Sequence, residues 1–205
     1  MNAAASQSRA EARRRSQRKR ILCAAEACFV ESGFHAASMA AIADTAGMSP
    51  GLIYRYFENK NAIILAIIEQ QLMIARKHIR ELRSAGNLAD RIMRYFESVE
   101  PEDDDSMSTP LYLEISAEAT RDPQIAEALQ HFDRTVRSEL TEWLCRDPAD
   151  GGYGLSSESA PTVVLLLVSL FEGLIVRGAR EPEPDCRQLR RKVEHVLSTV
   201  IESTV

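Results

Sequence analysis

Apolar residues along this chain recur at intervals of three and four, and almost nowhere in the strict alternation of a half-buried strand. The pattern predicts an all-α protein of about nine helices. The first runs from about Ser16 to Glu31, with Ile21, Leu22, Ala25, Cys28 and Phe29 on one face, and Gly33 ends it as a left-handed cap. Ser38 caps a short helix, Met39 to Ala46. Gly47 makes a turn. Ser49 then caps a third helix that starts on Pro50, where a missing N–H costs nothing, and lasts to about Phe57. A long amphipathic helix follows from about Lys60 to Arg83, and a fifth spans about Leu88 to Glu97. The sixth covers about Leu111 to Thr120. Asp122-Pro123 opens the seventh, which reaches about Cys145. The eighth runs from about Ser159 to Arg177. Asp185 and Gln188 form the capping-box pattern of a ninth, ending near Ser203.

Two short helices joined by a tight glycine turn have the form of a helix-turn-helix, with the first helix as third packing partner. A helix fits the major groove of DNA, and its N-terminal residues face base edges. Ser49, Pro50 and Gly51 keep that end small, so backbone can approach closely, and the free N–H groups there suit phosphate. The hydroxyl of Ser38 stands at the start of the preceding helix. Tyr54, Tyr56 and Lys60 fall near the far end of the reader, where phenols and an ammonium suit flanking phosphates. Ile53 and Phe57 are expected to face the core. Tyr54 fits packing and contact equally. Arg55 suits a guanine or a phosphate.

Charge sharpens this picture. Residues 1–60 hold nine Lys/Arg against five acids, whereas the rest of the chain holds sixteen against twenty-five within a net charge of -5. A basic head on an acidic body meets a polyanion with the head alone. Residues 1–15 read as a flexible basic arm, followed by a helix-turn-helix domain over 16–59 and an effector-binding and dimerisation domain over 60–205. The four cysteines lack any CxxC spacing, and His78, His131 and His195 are widely separated, so neither metal nor cofactor is expected and a reducing, cytoplasmic setting fits. The most apolar run, Val163 to Val168, is too short to span a membrane.

The stretch GFHAASMAAIADTAGMSPGLIYRYFENKNAI resembles the TetR/AcrR family of bacterial transcriptional regulators. The residues that carry the likeness are Gly33, Phe34, Ser38, Ile42-Ala43, Ala46-Gly47-Met48-Ser49, Gly51, Tyr54, Tyr56-Phe57 and Lys60, within Arg18 to Leu65. The resemblance implies a homodimer that binds operator DNA and releases it when a small molecule enters the larger domain. It implies backbone contacts from Ser38, Ser49, Tyr54, Tyr56 and Lys60, with Pro50, Gly51 and Arg55 over the bases. Ala40 and Ala41 depart from the family, which often has a polar or charged residue there. Arg13, Arg14 and Arg15 are available to compensate, in the minor groove or along phosphates.

The segment PTVVLLLVSLFEGLIVRG is apolar on more than one face, as a buried helix is. With the ninth helix it is expected to form a four-helix interface between two copies, so the partners are operator DNA, a second copy through helices eight and nine, and a small-molecule effector. Candidate effector contacts are Met73, Met93, Tyr95, Phe96, Tyr112, Glu114, Phe132 and Phe171, with Trp143 beside them. Glu114 and its i+4 neighbour Glu118 need partners if buried, such as a cationic ligand, Arg134 or Arg137. The reading is therefore a ligand-released repressor. The alternatives are a helical adaptor that no longer reads DNA, and an all-helical enzyme, for which no nucleophile elbow, phosphate loop or HExxH motif is present.

Overall fold

The computed structural model describes residues 2–82, 107–180 and 186–202. Among them are eight α-helices: α1 (Asn2–Ala36), α2 (Met39–Thr45), α3 (Pro50–Ile53), α4 (Lys60–Leu82), α5 (Thr109–Ala119), α6 (Pro123–Cys145), α7 (Ala160–Arg180) and α8 (Cys186–Glu202). A 3-10 turn, Pro148–Asp150, precedes α7. The fifth helix expected from the sequence, and the Asp185 cap of the ninth, lie outside the described residues. The expected eighth and ninth helices are thus α7 and α8.

Residues 2–15, expected as a flexible arm, are helical and continue α1. Their Ala, Gln, Glu and Arg are strong helix formers, and that propensity extends the helix beyond its apolar stripe. The helix kinks at Gly33, whose φ of 76° and ψ of 160° belong to a region that is essentially glycine-only. The expected stop is therefore a break followed by one further turn.

The chain divides into two compact units. One comprises Met1–Glu69 and Pro110–Ala128, and the other takes the described parts of Gln70–Thr109 and Leu129–Val205. The first unit is larger than the expected 16–59 domain, because it also includes the N-terminal turns of α1, residues 60–69 of α4, α5 and the start of α6. Its buried residues include Ile21, Ala25, Phe29 and Phe34 of α1, Ile42 and Ala43 of α2, Ile53, Phe57, and Ile63, Ile64 and Ile67 of α4. Leu111, Ile115 and Ile125 are buried within the same unit. Phe29 meets Phe34 edge to face at 5.3 Å.

The second unit is built on Trp143, Leu144, Leu155, Ala160, Val163, Val164, Leu167, Val193 and Leu197. Trp143 donates its indole N–H to the Gly151 carbonyl at 2.9 Å and meets Tyr153 edge to face. It is a core residue. The length of α7 corrects the expectation that no stretch could span a bilayer. Its 21 residues reach a mean hydropathy of 1.9 over an 18-residue window, enough by length and composition. Among the described residues one face of α7 is buried, with Val163, Val164 and Leu167, whereas Leu165 and Leu166 are 46% and 53% exposed.

Gly33→Ala tests the kink. A methyl group there would force an L-residue into the glycine-only region and stand 3.3 Å from the Glu114 carboxylate. We expect a loss of about 1–3 kcal/mol in urea unfolding.

Candidate nucleic-acid interface

The site begins with two short elements at fixed angles. Ser38 has extended backbone, and its hydroxyl accepts the Ala41 N–H at 3.0 Å, as an N-cap does. Gly47 turns the chain with a φ of 59°, and the N–H of Met48 returns to the Ala43 carbonyl at 2.9 Å. Here glycine is required twice over. The backbone is left-handed, and a Cβ would lie 2.7 Å from the Arg20 guanidinium, which donates to the Gly47 carbonyl. Ser49 has the extended backbone of a cap and its carbonyl accepts from Leu52, but its hydroxyl makes no capping bond. Ser49, Pro50 and Gly51 are all exposed. The space beside Gly51 is open to 4 Å.

The reader is shorter than the sequence suggests. Regular helix ends at Ile53, and one more turn closes through Tyr56 and Phe57, both bonded to the Ile53 carbonyl. Ile53 and Phe57 point into the core, fully and almost fully buried. On the other side Tyr54 is 55% exposed, Arg55 is exposed and Tyr56 half-buried. Ser38, Ser49, Pro50, Gly51, Tyr54 and Arg55 are therefore all accessible on one small helix-turn-helix.

Lys60 is different. Its ammonium donates to the carbonyls of Phe34 at 2.7 Å, His35 at 3.1 Å and Ala37 at 2.6 Å, and lies 4.7 Å from the Phe34 ring centre. An ammonium has three N–H donors, so all are spent on carbonyls at and just beyond the end of α1. The sequence offered a lysine at the reader's far end, where phosphate is the obvious partner. Only the fold reveals the carbonyls that α1 leaves unpaired beyond its kink.

Two arginines not included among the reader's candidates support it from behind. Arg18 stacks over the Phe57 ring at 4.9 Å, and Arg20 holds the turn carbonyl. The sequence signal was their place on α1 just before the apolar stripe, at i−3 and i−1 from Ile21. Cys28 contributes a 3.3 Å contact with the Thr45 hydroxyl.

The acidic pair on α5 also faces the head. The Phe34 N–H donates to Glu114, and the buried Glu118 lies 3.1 Å from His35 Nε2 and 3.9 Å from Arg121. Asp122 accepts from Asn61 and caps α6 through the N–H groups of Gln124 and Ile125. Neither Arg134 nor Arg137 serves the glutamates, and Arg137 pairs with Asp133 at 3.3 Å. Glu114 thus has a backbone partner in the head. Tyr112 lies on α5 in the same unit, whereas Met73, Phe132 and Phe171 belong to the other. Met73 is 60% exposed, and Phe171 packs on the Trp143 cluster. Met93, Tyr95 and Phe96 lie outside the described residues.

Lys60→Ala and Tyr54→Phe separate scaffold from surface. We expect Lys60→Ala to cost about 1.5–3 kcal/mol of stability, as loss of charge-assisted hydrogen bonds does, and to leave the salt dependence of DNA binding unchanged at temperatures where the variant is folded. Tyr54→Phe should leave the unfolding midpoint in place and weaken binding to all duplexes alike. Thermal unfolding and salt titrations by fluorescence anisotropy report both.

The sequence matches the profile of bacterial regulatory proteins of the tetR family over residues 21–67, and that of the C-terminal domain of BetI-type transcriptional repressors over residues 88–202. It is 34% identical over 158 residues to the HTH-type transcriptional regulator UidR of Escherichia coli (strain K12), covering 77% of this chain and 79% of UidR. It is 26% identical over 159 residues to the HTH-type transcriptional activator FasR of Mycolicibacterium smegmatis, covering 75% and 68% of the two chains. The fold is similar to that of Salmonella enterica GusR, with a TM-score of 0.74 and 30% identity across 91% of this chain and 96% of that one. With a helix-turn-helix exposed on one face and anchored on the other, the chain belongs to the tetR family of bacterial regulatory proteins and is a DNA-binding transcriptional regulator.

Proposed function

We propose that this regulator is a homodimeric repressor that leaves a palindromic operator when a small molecule binds its C-terminal domain. The observation that carries the reading is the sidedness of the reader: Ile53 and Phe57 are buried while Ser49, Pro50, Gly51, Tyr54 and Arg55 are exposed beside them. A packed rear face fixes the angle at which the exposed side chains meet a groove. Pro50, Gly51 and Arg55 lie over base edges. Ser38, Ser49, Tyr54 and Tyr56 take phosphates, and Lys60 acts by fixing the end of α1. An adaptor that no longer reads DNA has no use for such an exposed, small-residue helix start. The likeness to BetI-type repressors supports repression.

The second copy is called for by α7. Thr162, Leu165, Leu166, Ser169 and Gly173 recur at helical spacing and are all exposed, with open space beside Gly173. Two leucines flanked by small residues suit close packing against another helix. Val196 of α8, 46% exposed, extends the same kind of surface. We read α7 and α8 as the subunit interface, and α7 as a protein-facing rather than a lipid-facing helix. Two-fold pairing would set two readers on half-sites ~34–36 Å apart. A regulator of DNA works in the cytoplasm, and the family's role is regulation rather than catalysis.

The effector acts by population shift, and must bind the DNA-released arrangement more tightly than the DNA-bound one. Of the candidates, Met73, Phe132 and Phe171 remain for its pocket, with Met93, Tyr95 and Phe96, whereas Glu114 serves the head. Footprinting on the duplex upstream of the chain's own coding region is the direct test. Two protected half-sites related by a dyad are expected, and a single unpaired patch would exclude the two-fold reading. Leu165→Glu/Leu166→Glu should convert the dimer to monomer in sedimentation velocity and reduce operator affinity at least tenfold, about 1.4 kcal/mol or more.

A further inference from the structure

The first turns of α1 carry more charge than the head requires. Between residues 9 and 20 stand Arg9, Arg13, Arg14, Arg15, Arg18, Lys19 and Arg20, against Glu11 alone. Arg18 and Arg20 are used on Phe57 and Gly47. Arg9, Arg13, Arg14 and Arg15 are exposed and make no hydrogen bond or ion pair among the described residues. Arg9 and Arg13, Arg14 and Arg18, and Arg15 and Lys19 are like-charge neighbours at i and i+4, an arrangement that opposes a helix. A polyanion beside the helix would remove that opposition.

The direction in which these residues lead is set by what α1 touches along its length. Its middle meets the helix-turn-helix, through Arg18 on Phe57 just after the reader, Arg20 on the Gly47 turn before it and Cys28 on Thr45 of α2. Its C-terminal end meets α5, through Phe34 on Glu114 and His35 on Glu118. The helix therefore runs from the reader side of this unit toward the α5 side. The turns before Arg18 leave the unit on the reader side.

Register narrows the choice further. Arg14 is one turn before Arg18 and continues the stripe of Ile21, Ala25 and Phe29, with a guanidinium in place of an apolar side chain. Arg13 is two turns before Arg20, on the flank that reaches the Gly47 turn. Arg13 and Arg14 thus extend the two lines of contact by which α1 already holds the reader. They stand ~6–11 Å beyond those anchors at 1.5 Å per residue. Arg15 lies nearer the Leu22 flank.

We infer that the N-terminal turns of α1 form a second DNA-contacting element, a rigid basic helix whose Arg13 and Arg14 seat on sugar-phosphate flanking the groove occupied by the reader. The inference rests on the reading that the Ser49–Tyr56 surface meets the duplex. Phosphate is the partner because guanidinium matches it bidentately. The element adds affinity and register without sequence preference. It also supplies the charge that Ala40 and Ala41 leave out of α2.

Two variants of the full chain test this, each checked for an unchanged thermal midpoint. The duplexes are a mixed-sequence pool and the sequence that the unaltered chain enriches from it. Arg13→Ala/Arg14→Ala should weaken both by the same factor and flatten the log-affinity against log-salt slope by ~0.9 for each phosphate that is no longer neutralised. Ser16→Pro keeps every arginine but starts the helix at residue 16, where proline is tolerated as a first position. It should lower the slope similarly. An unchanged slope in the alanine variant overturns the inference. Weakening confined to the enriched sequence overturns the phosphate assignment. A Ser16→Pro variant that matches the unaltered chain overturns the rigid seat and leaves only a polycation. Arg55→Ala separates the underlying reading, since it should lose preference for the enriched sequence at an unaltered slope. If the unaltered chain binds no duplex at all, reader and seat fall together.

Discussion

A single ammonium group joins the two ends of the head. The break at Gly33 lets α1 turn before α2, and in doing so exposes carbonyl oxygens that no helix can satisfy. Lys60, the first residue of α4, donates to three of them, at Phe34, His35 and Ala37. A positive charge at a helix C-terminus is favourable in any case, and here it also joins the first helix of the head to the fourth. The reader lies between those two points in the chain, so its attachment depends on the same junction.

The junction is served from a second direction. Glu114 takes the Phe34 N–H, Glu118 faces His35, and Asp122 meets Asn61 one residue after Lys60. Within the same few residues, carbonyls go to a cation of α4 and an N–H goes to an anion of α5. This explains why α5 belongs to the compact unit of the helix-turn-helix. A buried carboxylate such as Glu118 keeps its cost low only by being paired.

Charge alone does not determine what a basic side chain near the helix-turn-helix holds. Arg18, Arg20 and Lys60 are basic and near the reader, yet each is committed to the protein, on a ring or on carbonyl oxygens. Arg13, Arg14 and Arg55 have the same charge and stand in the open. What separates the two groups is whether a backbone acceptor or an aromatic face lies within reach, and that is set by the packing of α1 against α2 and of α2 against α3.

Much of this is legible in the sequence, because local rules act within a turn or two. Helical periodicity, the Ser38 cap, the glycine at 47, Pro50 at the first position of α3 and the inward Ile53 and Phe57 all follow from neighbours in the chain. Candidate DNA-contacting residues can be picked out for the same reason, since they lie on one short helix-turn-helix. The tertiary structure decided what depends on partners far along the chain. Lys60 found its acceptors more than twenty residues earlier, and Glu114 found its donor eighty residues away. The N-terminal residues read as an arm because their apolar stripe ends, whereas their propensity keeps them helical. Periodicity tells which side of a helix is apolar. It does not tell which side is covered, so the bare second face of α7 and the commitment of Lys60 emerged only once the helices were packed.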